Sequence, residues 1–124
     1  MNNLLIFITL FISLNITVIG PSEGLLFEST TIDYGKIQIS SDGKKQFVYS
    51  NISKKSLFIT SSKTSCSCVV VKYNENEIKK GENGVIDVYY DTQRLGKFIK
   101  TVTLTTSNSD KEIVLTIKGE VVNN

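Results

Sequence analysis

Beyond residue 27 apolar and polar side chains trade places almost one for one. TIDYGKIQI sets Ile32 and Tyr34 on one side, KQFVYSN sets Phe47 and Tyr49, and SLFITS sets Leu57 and Ile59. VIDVYYD alternates Ile86, Val88 and Tyr90 against Asp87 and Tyr89. FIKTVTLTTSN offers Val102 and Leu104, and EIVLTIKGEVV offers Ile113, Leu115, Ile117 and Val121 with Gly119 in register. A period of two is the mark of a strand with one buried face. The intervening SSDGKK, SNISKKS, NENEIKKGENG, TQRLGK and SNSDKE are polar and read as turns or loops. Asp42-Gly43 is expected to supply a positive φ, and Gly35 a bulge. With the run SCSCVVVKY the count reaches about seven strands.

No strong 3.6-residue periodicity occurs after residue 24, so no segment can serve as a crossover helix and parallel pairing is not expected. The expectation is all-β: an immunoglobulin-like antiparallel β-sandwich over residues 25–124. It lacks the Cys…Trp…Cys core of antibody domains, since the chain has no tryptophan.

The first twenty residues break this pattern. MNNLLIFITLFISLNITVIG carries no charged side chain, and Leu4 to Ile19 is a 16-residue apolar run interrupted by Asn15. Such a run is long for the apolar part of a signal peptide and short for a spanning helix. Residues 1–22 are therefore read as a signal peptide or an N-terminal membrane anchor. The chain is expected to be exported: periplasmic, cell-surface or secreted. Export would put Cys66 and Cys68 where disulfides persist.

Composition then removes function classes. A net charge of +2 advertises neither nucleic acid nor an anionic membrane. Membrane contact is expected only through the N-terminal segment, if it stays uncleaved. The chain has no histidine, hence no usual general base or zinc ligand. Asn51-Ile-Ser53 matches a glycosylation sequon; the Lys-, Asn- and Ile-rich composition is that of an AT-rich bacterial genome, in which the match arises by chance.

The ordered series IDYGKI, FVYSNISKKSLFI, SCSCV, IKKGENGVIDVYYD, GKFIKTVTLTTSN and LTIKGEV resembles the bacterial family called domain of unknown function 1573. The resemblance spans about residues 27 to 122. It is similar in turn to the ASH (hydin-like), major sperm protein and pilus-chaperone immunoglobulin-like domains. The resemblance implies a fold and an envelope location, and no established activity. Three departures stand out: Lys55-Ser56 where Gly or Pro is usual, Lys80 in place of proline before Gly81, and Ser67 in place of glycine between the cysteines.

The cysteine pair is the main candidate for chemistry. In a regular strand Cys66 and Cys68 would point to one face, their Cα atoms about 6.6 Å apart, long for a disulfide. The first expectation is two small buried residues near a strand start. A disulfide or thiol pair needs a bend at Ser65–Ser67, and a two-thiolate site for Cu(I) is the third reading. Zinc lacks ligands.

Other clusters have plainer readings. Gly81-Glu82-Asn83-Gly84 is a turn, because no Lys-Ser/Thr and no helix follow. Ser61, Ser62, Thr64, Ser65 and Ser67 beside Lys63 lack a third orienting group for nucleophilic catalysis. Asp87, Asp91, Glu75 and Glu77 have no calcium-loop spacing. The lysine pairs at 44–45, 54–55 and 79–80 are solvated caps. The reading is thus a non-enzymatic exported binding or assembly module of the bacterial cell envelope. It has no catalytic residues, metal or cofactor, and its partners are other envelope proteins met through a sheet edge or face. The alternative is a thiol redox or copper-handling protein using Cys66 and Cys68.

Overall fold

Alternation of side chains leaves each strand with one apolar face, and two such sheets bury theirs against each other. The computed structural model describes residues 24–124. The expected signal or anchor segment, residues 1–22, lies outside them. The strands are β1 (Leu25–Phe27), β2 (Thr31–Gln38), β3 (Lys44–Asn51), β4 (Ile59–Thr64), β5 (Val69–Tyr73), β6 (Asn83–Tyr90), β7 (Gly96–Thr106) and β8 (Ser109–Val122). One sheet has the order β1-β3-β6-β5 and the other β2-β8-β7-β4. The fold is an all-β, immunoglobulin-like sandwich.

Among the described residues eight strands stand where about seven were expected. The extra one is β1, whose three residues are too few to show alternation. One pairing also corrects the all-antiparallel expectation: β2 runs parallel to β8, with Thr31 opposite Thr116 and Gln38 opposite Val122. No crossover helix is needed, because the chain leaves β2, builds the opposite sheet and returns before β8 is laid down. The expected break at Gly35 is real; the register shifts between Asp33 and Lys36, and Gly35 has φ +65°.

The alternating positions do fill the core. Phe47, Leu57, Ile86, Val88, Val102, Leu104, Leu115 and Ile117 are each at most 1% exposed. Sequence reading missed Phe98 and Ile78, both buried. Ile78 sits alone among charged residues, so no period marks it, yet its backbone bridges Leu57 and its side chain joins the core. Phe98 stacks on Tyr90 at 3.8 Å, and Tyr34 meets both rings edge-on. Gly119 makes room for this group: a Cβ there would lie 2.8 Å from the Tyr34 Cβ and 2.9 Å from the Phe98 ring.

The β2–β3 turn differs from expectation in which residue bends. Ser40, not Gly43, takes the left-handed conformation, with φ 65°. Gly43 is needed for another reason. Its backbone presses on β6, where its carbonyl accepts the Tyr90 N–H at 3.0 Å and the Tyr34 hydroxyl at 2.7 Å. Burial, aided by the charge of Asp42, pushes the Tyr34 hydroxyl up to about 12, so it stays a donor to Gly43 at any physiological pH.

Candidate binding surfaces: the cysteine bend and the sheet edges

The chain leaves β4 at one edge of its sheet and must reach β5 at the facing edge of the other. Residues 65–68 make that crossing as a bend. Of the readings open for the pair, buried residues near a strand start or a disulfide made possible by a bend at Ser65–Ser67, the structure has the bend. Cys66 and Cys68 are bonded to each other, with Cα atoms 5.1 Å apart. The bend is what shortens the distance from about 6.6 Å. It also accommodates Ser67, because Ser40 is the only non-glycine residue with positive φ among the described residues. The bend is tied down at several points. Thr64 Oγ1 donates to the Cys66 carbonyl at 2.9 Å, Val69 N–H donates to the same carbonyl at 3.2 Å, and Ser65 Oγ accepts the Thr101 N–H at 2.9 Å. Cys68 is 4% exposed and joins the core.

A bridge that closes only three residues removes little chain entropy. Replacing both cysteines by serine is expected to cost about 1–2 kcal/mol, less than a long-range bridge would. Urea unfolding of the double variant against the oxidised wild type checks this; a loss above about 4 kcal/mol would mean the bridge does more than close a small ring.

The other clusters are held apart or occupied. On β4 the pleat puts Lys63 on the outer face, opposite Thr103, and Ser62 and Thr64 on the inner one, opposite Leu104 and Val102. Ser61 is hydrogen-bonded to Thr105. Ser61 and Lys63 share the outer face, and no hydrogen bond joins them. Asp87 accepts from Gln46 Nε2 at 2.8 Å, and Asp91 faces Arg94 at 3.6 Å. Among the described residues no group of three or more His, Cys, Asp or Glu side chains could hold a metal ion.

Asn51, set aside as a chance sequon, is a structural residue that the sequence reading missed. It is 1% exposed. Its Nδ2 donates to the carbonyls of Ile78 at 2.9 Å and Lys55 at 3.1 Å, and its Oδ1 accepts from Ser53 N–H and Oγ. It thereby ties the β3–β4 loop to the β5–β6 loop. Glycans attach through that Nδ2, which is buried and committed. The neighbouring turn is built alike: Gly81 has φ +77°, the Glu82 carboxylate accepts the Lys79 N–H, and Gly84 lies under the Tyr49 ring. The motif-like residues of this end thus serve the fold.

At the same end a cleft of about 720 Å³ is lined by Ile52, Ser53, Lys54, Lys55, Ser56, Ser107 and Asn108. Its described lining has two lysines and no acid. What the fold does leave open is strand edge. Among the described residues four strands lie at sheet edges: β1, β5, β2 and β4. β1 has three residues, β2 is broken at Gly35, and β4 shifts register between Ile59 and Ser61. β5 pairs with β6 over all five residues without a shift. Bulges and short length blunt an edge, so β5 is the edge left intact.

The model of a family described as protein of unknown function (DUF1573) matches residues 25–121. Among solved structures, a protein of unknown function from Porphyromonas gingivalis W83 superposes with TM-score 0.69 at 16% identity. The match covers 78% of this chain and 46% of that one. The Vibrio cholerae VesB protease gives TM-score 0.61 at 15% identity over 78% of this chain and 32% of its own. The ASH/PapD-like domain 7 of human CEP192 gives TM-score 0.63 at 7% identity over 85% and 89%. At such identities the likeness concerns the fold. The chain spans less than half the length of the first two. No curated protein matches.

Proposed function

We propose that this chain, which belongs to the DUF1573 family of proteins of unknown function, is a non-enzymatic exported binding or assembly module of the bacterial cell envelope. It engages other envelope proteins by strand addition at a sheet edge. The observation that carries the reading is the intact β5 edge, where the backbone groups of Val71 and Tyr73 face outward beside half-covered apolar side chains. An extended segment satisfies such an edge with main-chain hydrogen bonds, and alternate side chains supply selectivity. The Ser61 and Thr64 hydroxyls and the Asp87 carboxylate support the same reading, since each is hydrogen-bonded within the fold. The uncharged apolar start supports export. The thiol redox and copper reading has less behind it: the two sulfurs are joined to each other and Cys68 is buried.

The test is a photo-crosslinking residue placed in turn on each edge, at Leu26, Asp33, Lys63 and Lys72, in the native cell with fractionation. Adducts with envelope proteins are expected to concentrate at one edge and in an extracytoplasmic fraction. Adducts at no edge, or full-length soluble protein in the cytoplasm, would overturn the proposal.

A further inference from the structure

The open groups of β5 can be assigned one by one. Asp91 N–H donates to the Cys68 carbonyl at 2.9 Å, and Val69 stands opposite Tyr90. In an antiparallel ladder hydrogen-bonded residues alternate. Cys68, Val70 and Lys72 therefore turn their backbone groups toward β6, and Val69, Val71 and Tyr73 turn theirs to the free edge. Val69 N–H is already used by the Cys66 carbonyl at 3.2 Å. What remains is the N–H and C=O of Val71, the same two groups of Tyr73, and the Val69 C=O.

This set is self-complementary. Place a second β5 antiparallel to the first with Val71 opposite Val71. Val71 then exchanges two bonds with its counterpart across a two-fold axis. Each Tyr73 N–H reaches the Val69 carbonyl of the second copy, giving four main-chain bonds. The only group of the set without a partner is the Tyr73 carbonyl, at the solvent end of the ladder. Side chains agree with the register. Val69, Val71 and Tyr73 lie on the inner face, the last two half-buried against the core. Pairing abuts these stripes and covers the half-exposed pair. On the outer face Val70, 52% exposed, falls opposite Lys72 of the second copy, so the two ammonium groups are not juxtaposed. On the other three edges the longest run without a break is the four residues Ser61–Thr64 of β4, against five on β5.

We infer that a second copy of this chain is the occupant of the β5 edge, joining two four-stranded sheets into one of eight strands about a two-fold axis. The inference deepens the edge-addition reading and rests on it. A contact of five residues a side is smaller than a standard stable interface, so the pairing is weak and depends on concentration.

Val70 gives a test that leaves the fold alone, because its side chain points to solvent. The full chain, in mild detergent where the N-terminal segment is retained, is followed by sedimentation velocity from about 10 µM to about 1 mM, the range where so small an interface should dissociate. V70E sets a carboxylate opposite Lys72 of the second copy at both symmetric positions and should tighten the dimer about tenfold; V70K should loosen it about tenfold. The double variant V70E/K72E should lose the gain. Circular dichroism of each variant should match the wild type. A monomer throughout the range, or a dimer indifferent to all three variants, would overturn the inference. In that case adducts from the edge crosslinking, undiminished by V70K, would leave the edge-addition reading standing. Adducts at no edge would remove that reading as well.

Discussion

Replacing Gly43 by alanine is expected to destabilise the domain by about 3–5 kcal/mol, at the severe end for one methyl group. A Cβ on Gly43 would lie 2.0 Å from the Tyr90 carbonyl oxygen, a backbone atom on the β3 side of β6, where the Tyr90 N–H is itself bonded to Gly43. It can be accommodated only by moving the β2–β3 turn off β6. That motion breaks the Tyr90 N–H bond to Gly43 and the Tyr34 hydroxyl bond to the same carbonyl. It also loosens the cluster in which Tyr34 meets the stacked Tyr90 and Phe98 rings edge-on. Gly81 is the control. It has φ +77° but no atom within 4 Å of an added Cβ, so Gly81→Ala should cost only about 1–2 kcal/mol of backbone strain. Chemical denaturation of the two variants checks the contrast. Equal losses would mean that the approach of Gly43 to Tyr90 is slack.

Leu115→Ala should remove about 2–5 kcal/mol. Leu115 is fully buried on β8, opposite Val102 of β7, and nothing nearby is free to fill the space a leucine leaves. Its neighbour Val114 is 49% exposed on the other face of the same strand. Val114→Ala should change stability by no more than about 0.5 kcal/mol. Comparing the two by urea unfolding tests the face assignment of β8 directly, since a one-residue slip would exchange the results.

That face assignment was legible before any coordinates. Ile113, Leu115 and Ile117 announce it by alternation, and the same holds for Phe47 and Tyr49 and for Ile86, Val88 and Tyr90. Period-two patterning depends only on which side of a strand is dry, and a single chain records that completely. What stayed hidden depends on distant partners. Ile78 is core because Asn51, at the end of β3, and Leu57, in the loop after it, come to it from a distant part of the chain. Gly43 looked like a turn glycine because the strand it presses on lies about fifty residues away in the chain. The parallel β2–β8 pair was missed because helical crossovers are the common route to parallel strands, and here a whole sheet takes the helix's place. The cysteine pair was half legible. Spacing allowed an extended strand start or a bend, and the need to cross from the β4 edge to the β5 edge decides for the bend. Asn51 and Gly84 stayed hidden for the same reason: Asn51 is bonded to Ile78 of a distant loop, and Gly84 lies under Tyr49 of the neighbouring strand.

The pairing of β2 with β8 also sets the order in which the molecule can become itself. The sheet that holds both is unfinished until the last strand arrives, since Thr31 waits for Thr116 and Gln38 for Val122. Closing a loop of that length is entropically slow, and chains dominated by such non-local pairings fold in about milliseconds to seconds rather than microseconds. A polypeptide threaded through a membrane from its N-terminus would thus travel without its final architecture and acquire it only after its tail had passed. Its own topology would keep it open for passage.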